Sequence, residues 1–171
     1  PCNLMSFDTS TTSSGWALFT NAKLEQHGIL KQEGKNSESS QKINLMIKDL
    51  ITSLNKYNPL IVVIEKPPYK SDPKALTALA EIIGAIRGWA VMHNADYVEY
   101  MPNEWRALIA NENEKIPLKR EAAKAWDLQK IKDIFGIDIS EDDEADGILI
   151  GYARIIEFSN WMKSGICKRI A

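Results

Sequence analysis

The stretch LMSFDTSTTSSGWALF, residues 4–19, decides the fold. It contains most of an apolar strand that is expected over residues 3–8. This strand ends on a single carboxylate, Asp8. A turn rich in Ser and Thr follows, then a strand over 14–20 and, after the turn TNAK, a third strand near 23–33. A buried charge without a partner is very costly. Asp8 must therefore be solvated, hydrogen-bonded or paired with a cation.

The rest of the chain alternates helical patterns with short apolar runs. Apolar residues at helical spacing predict an amphipathic helix over 38–57, and NPLIVVIEKPP, residues 58–68, predicts a strand that is apolar on both faces. Asp72 is the expected N-cap of a helix, and Pro73 is its expected first residue. This helix is expected to reach about residue 94. The remaining expected elements are a strand over 96–101, a short helix over 102–109, a helix from Pro117 to about Phe135 and a last helix from Glu141 onward. This order predicts one α/β domain over 1–171, with a five-stranded mixed sheet flanked by helices.

The composition is that of an ordinary globular chain, with 171 residues, 44% hydrophobic and 26% charged. We find no apolar stretch close to the roughly 20 residues that span a bilayer, and expect no membrane contact. The two cysteines, Cys2 and Cys167, lie near opposite ends without a metal-binding spacing. This pattern favours a reducing, cytoplasmic setting.

The charges are unevenly distributed, although the net charge is only −2. Six Lys or Arg lie between Lys115 and Lys132, and six of the nine residues from Asp138 to Asp146 are acidic. A basic stripe beside an acidic cluster can indicate phosphate binding next to a metal site. It can equally be a solvated helix followed by an acidic loop.

Carboxylates end two of the expected strands and begin the last helix. Asp8 ends the first strand, and Glu65 ends the fourth. If these strands are parallel neighbours, both side chains emerge at the carboxyl edge of the sheet, where α/β folds bind ligands. Asp143 and Asp146 share a helix face because they are three residues apart, and Asp142 shares that face with Asp146 almost as well. The choice between Asp142 and Asp143 therefore stays open.

Four convergent carboxylates repel one another unless cations bind. Mg²⁺, for which Mn²⁺ can substitute, is the natural partner of such oxygen ligands. Two ions roughly 3.5–4 Å apart are the arrangement that supports phosphodiester cleavage. Taken alone, Asp8 would be interpreted as a turn residue, and the last acids as an exposed first helical turn. Only the four acids together favour a metal site.

The same residues carry a resemblance to a known family. LMSFDTSTTSSGWALF (4–19), LIVVIEKPPY (60–69) and DDEADGILIGYAR (142–154) resemble the three acidic motifs of RuvC-type Holliday junction resolvases, within the ribonuclease H-like superfamily. The resemblance covers nearly the whole chain. MPNEWRALI (101–109) and PLKREAAKAW (117–126) look like the variants found in phages and their hosts. The resemblance implies a ribonuclease H-like fold and an endonuclease that cuts four-way and other branched DNA junctions by paired symmetrical nicks.

Roles for individual residues follow from this resemblance. It implies that four acids are catalytic metal ligands, with two ions per active site: Asp8, Glu65, Asp143 and Asp146. It implies that Lys119 and Arg106 contact the scissile strand and that Tyr69, in KPPYKSDP, stacks on an unpaired base. It also implies a homodimer. His27 and His93 lie outside the motifs, and we expect both to be structural or surface residues.

A glycine pair marks a candidate packing surface. Gly84 and Gly88 lie four residues apart on one helix face, although glycine costs a helix roughly 1 kcal/mol relative to alanine. Another element is therefore expected to approach closely, either a partner's helix or the sheet beneath. We favour the sheet for one glycine and leave the other open.

Other functions remain as alternatives. A ribonuclease H-like enzyme could act on flaps or RNA–DNA hybrids. A catalytically idle relative could bind branched DNA as a structural module, although the four intact acids argue against it. The DTSTTSSGWAL stretch (8–18) also resembles the phosphate-binding hairpin of actin-like ATP-binding proteins. That family needs a second hairpin and a glycine-rich adenosine motif, which this sequence does not contain.

Overall fold

A five-stranded mixed sheet in the order β3-β2-β1-β4-β5 forms the middle layer of the computed structural model, which describes residues 2–32, 39–67 and 72–163. Strands β1, β2 and β3 are antiparallel, whereas β1, β4 and β5 are parallel. The expected five-stranded mixed sheet is thereby confirmed. The strands are β1 Asn3–Asp8, β2 Ser13–Thr20, β3 Lys23–Lys31, β4 Ile61–Glu65 and β5 Asp96–Tyr100.

Helices cover both faces of the sheet. They are α1 Ser39–Tyr57, α2 Pro73–Met92, α3 Pro102–Ile109, α4 Arg120–Phe135 and α5 Asp142–Lys163. Asp72 caps α2 as expected, since its side chain accepts from the backbone N–H groups of Lys74 and Ala75 at 3.1 Å. The expected start of α4 at Pro117 is wrong: Lys119 still has extended backbone, with φ −81° and ψ 133°, and the helix begins at Arg120.

The alternation of side chains along β1 divides the core into two layers. Met5 and Phe7 point to one face, where they pack with residues of α1 and α2. Leu4 lies on the other face, with residues of α3, α4 and α5. Because β1 is central and buried on both faces, its last residue, Asp8, leaves the core between the two helical layers.

Helix α2 corrects the expectation about membrane-spanning length. It is long and apolar enough to span a membrane by length and composition, contrary to our expectation that no stretch approaches that length. Four of its residues nonetheless pack into the core: Ile82, Ile86, Trp89 and Ala90. A core helix passes the same test, so its length is weak evidence for a membrane span.

The glycines of α2 do not contact the sheet. Gly84 and Gly88 are exposed, and a Cβ added to either would meet no atom within 4 Å among the described residues. The expectation that one of them packs on the sheet is wrong. Their neighbours Leu76 and Val91 are also exposed, so this face of α2 is apolar and open in the monomer.

Candidate active site

Asp8 and Glu65 lie side by side at the carboxyl edge of the sheet. Strands β1 and β4 are parallel, and Phe7 pairs with Ile64, so the next residue in each strand is one of the two acids. This is the arrangement expected from the sequence. Both side chains leave the sheet where the strands stop and the loops begin.

The turn after Asp8 is held by its own hydroxyl groups. The Ser14 hydroxyl accepts from the Ser10 backbone N–H at 2.9 Å and donates to the Ser10 carbonyl at 3.0 Å. The Ser10 hydroxyl accepts from the backbone N–H groups of Thr12 and Ser13. A cleft of about 720 Å³ opens beside this turn, lined in part by Thr9, Ser10, Thr12, Lys42 and Lys74. The Ser/Thr-rich composition thus produces a compact turn beside a cleft that carries two lysines.

Contacts at glycines seat the start of α5 against the sheet. Gly15 pairs with Asp8 across β1 and β2, and a Cβ added to Gly15 would overlap the Asp143 carbonyl. A Cβ added to Gly147 would lie only 2.7 Å from the Gly15 carbonyl carbon. The buried Ser6 hydroxyl donates to the Gly147 carbonyl at 2.7 Å. The missing side chains let the helix backbone rest on the strand, which brings the α5 acids next to Asp8.

The charges of these acids act on one another. Burial raises the pKa of Asp8 well above its usual value, and the charges of Glu65 and Asp143 raise it further. Burial also raises the pKa of Asp146 well above its usual value, with added repulsion from Asp8, Asp127 and Glu65. Desolvated carboxylates that repel one another favour the binding of protons or cations.

Asp142 faces a different partner from Asp143. It forms an ion pair with Lys124 of α4, whereas the charge of Asp143 acts directly on Asp8. This geometry favours Asp143 as the second acid of the pair on α5. Its assignment as a ligand stays a prediction.

Helix α3 supplies two side chains to the same site. The Trp105 indole N–H donates to Glu65 Oε2 at 2.7 Å, and Trp105 is fully buried. The Arg106 guanidinium makes two hydrogen bonds to Asp127, at 3.0 and 2.7 Å, and also lies 3.9 Å from Asp146. The Arg106 side chain is only 14% exposed. Its expected contact with the scissile strand stays a prediction, and its observed contacts are with carboxylates.

The donor set fits a hard divalent cation. Asp146 Oδ1 is buried and accepts no hydrogen bond from the described residues, so one carboxylate oxygen lacks a partner inside the protein. Carboxylate oxygens are the ligands that Mg²⁺ and Mn²⁺ prefer. Within the described ranges, however, no three His, Cys, Asp or Glu side chains are close enough together to hold an ion as they stand.

The other predicted site residues lie as follows. Lys119 is exposed at the start of α4, and Tyr69 lies outside the described residues. His27 contacts Glu144 at 2.7 Å and so ties β3 to α5, while His93 stacks on Trp89 with ring centroids 4.1 Å apart. The two histidines thus make structural contacts, as expected.

Sequence reasoning missed Trp105, Asp127 and the glycine contacts. A signal for Asp127 was present, because it lies at i+4 from Ala123 and i−4 from Ile131 on the buried face of α4. An acid on an apolar helix face requires a buried partner. For Trp105, an aromatic residue in a short amphipathic helix gave no sign that its indole would reach a strand end.

Comparisons with known proteins agree with this geometry. No protein-family profile matches the chain. A curated relative, the crossover junction endodeoxyribonuclease RuvC of Brachyspira hyodysenteriae, is 25% identical over 132 residues, which cover 77% of each chain.

Solved structures show the same fold. T. thermophilus RuvC in complex with a Holliday junction substrate matches with a TM-score of 0.71 at 13% identity, over 91% of this chain and 94% of that one. Fowlpox virus resolvase with Holliday junction DNA matches with a TM-score of 0.56 at 20% identity, over 96% and 99%. The chain thus has the fold of these Holliday junction resolvases, and its sequence is similar to that of a RuvC nuclease.

Proposed function

We propose that this chain is a metal-dependent endonuclease that resolves four-way DNA junctions by paired symmetrical nicks. One observation carries the proposal: Asp8 and Glu65 end adjacent parallel strands at the carboxyl edge of the sheet, and the α5 backbone at Asp143 packs on Gly15 beside Asp8. Relatives of the same fold support the substrate, since T. thermophilus RuvC and fowlpox virus resolvase were solved with Holliday junction DNA. Residues 1–171 would act as a single nuclease domain.

The proposed metal ligands are Asp8, Glu65, Asp143 and Asp146. Two Mg²⁺ ions, or Mn²⁺ in their place, would supply an activated water and stabilise the leaving 3′-oxygen. Asp8 lies between the other proposed ligands, because the charges of both Glu65 and Asp143 act on its carboxylate. Trp105 orients Glu65 through the indole N–H, and the seating of α5 on Gly15 fixes Asp143.

Basic and hydroxyl groups around the acids suit a DNA backbone. The exposed Lys119 would contact phosphate near the site, while Lys42 and Lys74 line the cleft beside the Ser/Thr-rich turn. Arg106 would contribute positive charge beside the scissile strand, and Tyr69 would stack on an unpaired base at the junction. The enzyme would work as a soluble protein in the cytoplasm.

A homodimer would place two sites on one junction. The open face of α2, with Gly84, Gly88 and the exposed Leu76 and Val91, suits a second copy because its backbone is accessible to close packing. Val91 is 69% exposed, so Val91→Lys should leave the fold intact and convert a dimer to a monomer in light scattering. A dimer that survives this change would assemble through another surface.

Cleavage of labelled substrates tests the activity. Purified protein is mixed with a four-way junction, a linear duplex, a flap and an RNA–DNA hybrid, each with Mg²⁺ and with EDTA. We expect paired nicks with 5′-phosphate ends on the junction alone, lost in EDTA. Asp8→Asn should abolish cleavage and retain junction binding, because it removes a proposed metal ligand and one negative charge that faces phosphate.

A matched control lies at the opposite edge of the same sheet. Asp96 begins β5 and is exposed, so Asp96→Asn should cut as fast as the unaltered protein. Cutting of flaps or hybrids would agree with the proposed metal site but would show that the proposed substrate is wrong. Full cleavage by Asp8→Asn would overturn the proposed site.

A further inference from the structure

A buried ion pair lies directly behind the candidate metal site. The Arg106 Nε donates to Asp127 Oδ1 at 3.0 Å, and its Nη2 donates to Asp127 Oδ2 at 2.7 Å. The Asp127 side chain is 0% exposed. A two-pronged guanidinium–carboxylate contact of this kind has a fixed geometry and is among the stronger hydrogen-bonded pairs. The pair therefore fixes where the positive charge of Arg106 lies.

That charge lies within ion-pair distance of a proposed metal ligand, but too far away for a hydrogen bond. The same Nη2 atom is 3.9 Å from Asp146 Oδ2. Burial raises the pKa of Glu65, and the Trp105 hydrogen bond and the charge of Arg106 oppose that rise. A guanidinium keeps its charge at any physiological pH. Released from Asp127, it would form a direct ion pair with the nearest free carboxylate and repel a divalent cation there.

Two observations indicate that the protein prevents this contact. Asp146 Oδ1 is buried and has no hydrogen-bond partner among the described residues, although a guanidinium lies beside the same carboxylate. Asp127 itself lies on the buried face of α4 between Ala123 and Ile131, where packing alone would favour an apolar residue. Its carboxylate accepts two hydrogen bonds from Arg106 and lies beside Asp146.

We propose that Asp127 is a positioning residue of the metal site: it holds the Arg106 guanidinium away from Asp146, so that an Asp146 oxygen stays open to a divalent ion. This inference rests on the proposed function, because it takes Asp146 to be a metal ligand. Asp127 itself would contact neither the ion nor the DNA.

Mn²⁺ binding without DNA tests the inference. Free Mn²⁺ is counted by electron paramagnetic resonance at fixed pH during titration of the full chain. Asp127→Asn has the same shape but leaves Arg106 without its charged partner, and we expect Mn²⁺ to bind about tenfold more weakly. Asp127→Asn with Arg106→Gln removes the freed charge as well, and should restore affinity to within a few-fold of the unaltered protein.

The restoration separates positioning from mere structural support. If Asp127 only supported the fold, the double variant would bind Mn²⁺ no better than Asp127→Asn, and the inference would be wrong. Equal Mn²⁺ affinity in Asp127→Asn and the unaltered protein would also overturn it. Asp146→Asn tests the site itself. If Asp146→Asn also binds Mn²⁺ with unchanged affinity, the proposed metal site is wrong. If Asp146→Asn binds Mn²⁺ more weakly while Asp127→Asn binds it normally, only the inference about Asp127 is wrong.

A second variant covers the case in which Asp127→Asn does not fold, as judged by circular dichroism. Arg106→Lys keeps the positive charge but lacks the two-pronged donor that Asp127 holds. Its ammonium should be held less firmly and weaken Mn²⁺ binding in the same direction. Affinity equal to that of the unaltered protein would count against the inference in the same way.

Discussion

Trp105 shows how much one hydrogen bond can contribute at the residue scale. Its indole N–H is the side-chain donor to Glu65 Oε2, at 2.7 Å. Trp105→Phe removes that donor and keeps most of the apolar volume. A hydrogen bond to a charged group contributes roughly 1.5–3 kcal/mol, so we expect junction cleavage to slow by about tenfold or more. Single-turnover cleavage rates measure the effect.

The chain contains a matched control for this change. Trp89 also donates its indole N–H to a side chain, Asn55 Oδ1, at 2.7 Å, but it lies in the layer of α1 and α2. Trp89→Phe should lose comparable stability and cut at the rate of the unaltered protein. If both variants slow cleavage equally, the effect belongs to lost packing and not to Glu65.

Lys119 carries the second prediction at this scale. Its exposed side chain at the start of α4 is proposed to neutralise one phosphate. Lys119→Ala should weaken junction binding and reduce the slope of log K against log salt by about 1. Lys23→Ala is the control, because Lys23 is exposed at the start of β3, the far edge strand of the sheet. An unchanged slope in Lys119→Ala would exclude Lys119 from the phosphate contacts.

At the scale of elements, the sequence was informative wherever a pattern was local. Strand β1, the cap of α2 and the whole of α3 were predicted because alternation, capping and proline placement depend on neighbouring residues. The predicted start of α4 at Pro117 was wrong because a proline suits both a first helical turn and the loop before it. The helix begins at Arg120.

Contacts between distant elements could not be predicted in the same way. The seating of α5 depends on Gly15 and Gly147 meeting across more than a hundred residues of sequence, and a glycine in isolation does not show what approaches it. Gly84 and Gly88 show the converse: the same residue type lies on an open face. The places of the four acids could be predicted because Asp8 and Glu65 end strands and Asp143 and Asp146 lie near the start of α5. Their role as metal ligands stays a prediction.

Gly147→Ala tests the seating of α5. The added methyl group would lie 2.7 Å from the Gly15 carbonyl carbon, so the helix start must move. Because a displacement of about 1 Å can cost a reaction 10²-fold, we expect cleavage to fall by about that factor while the protein stays folded. Ser159→Ala, far along the same helix, is the control and should cut normally. Unchanged cleavage in Gly147→Ala would show that the helix start tolerates movement.

At the scale of the whole molecule, the acid cluster links stability to pH. Burial, with mutual repulsion, raises the pKa values of Asp8 and Asp146 above those of the unfolded chain. Their contribution to the free energy of unfolding is therefore fully present below the ordinary carboxyl pKa of about 4 and is lost as pH rises through the raised values. In EDTA, Asp146→Asn should melt at a higher temperature than the unaltered protein at pH 7, and this difference should shrink toward pH 4.

Metal addition should reverse the order. Mn²⁺ stabilises the folded protein in proportion to its binding, so the unaltered protein should gain melting temperature at pH 7 and Asp146→Asn should gain little. Melting followed by circular dichroism gives both differences. A difference that grows toward low pH would show that Asp146 is not desolvated in the folded protein.

The seating of α5 on β2 also bears on how such an enzyme is made in a cell. The first two acids are synthesised by residue 65, but the cluster is complete only when residues 143 and 146 reach the sheet. A nascent chain on the ribosome, or a fragment cut before α5, therefore has two of the four proposed ligands. In the proposed enzyme, DNA would be exposed to cleavage only by chains whose final helix has been translated and docked.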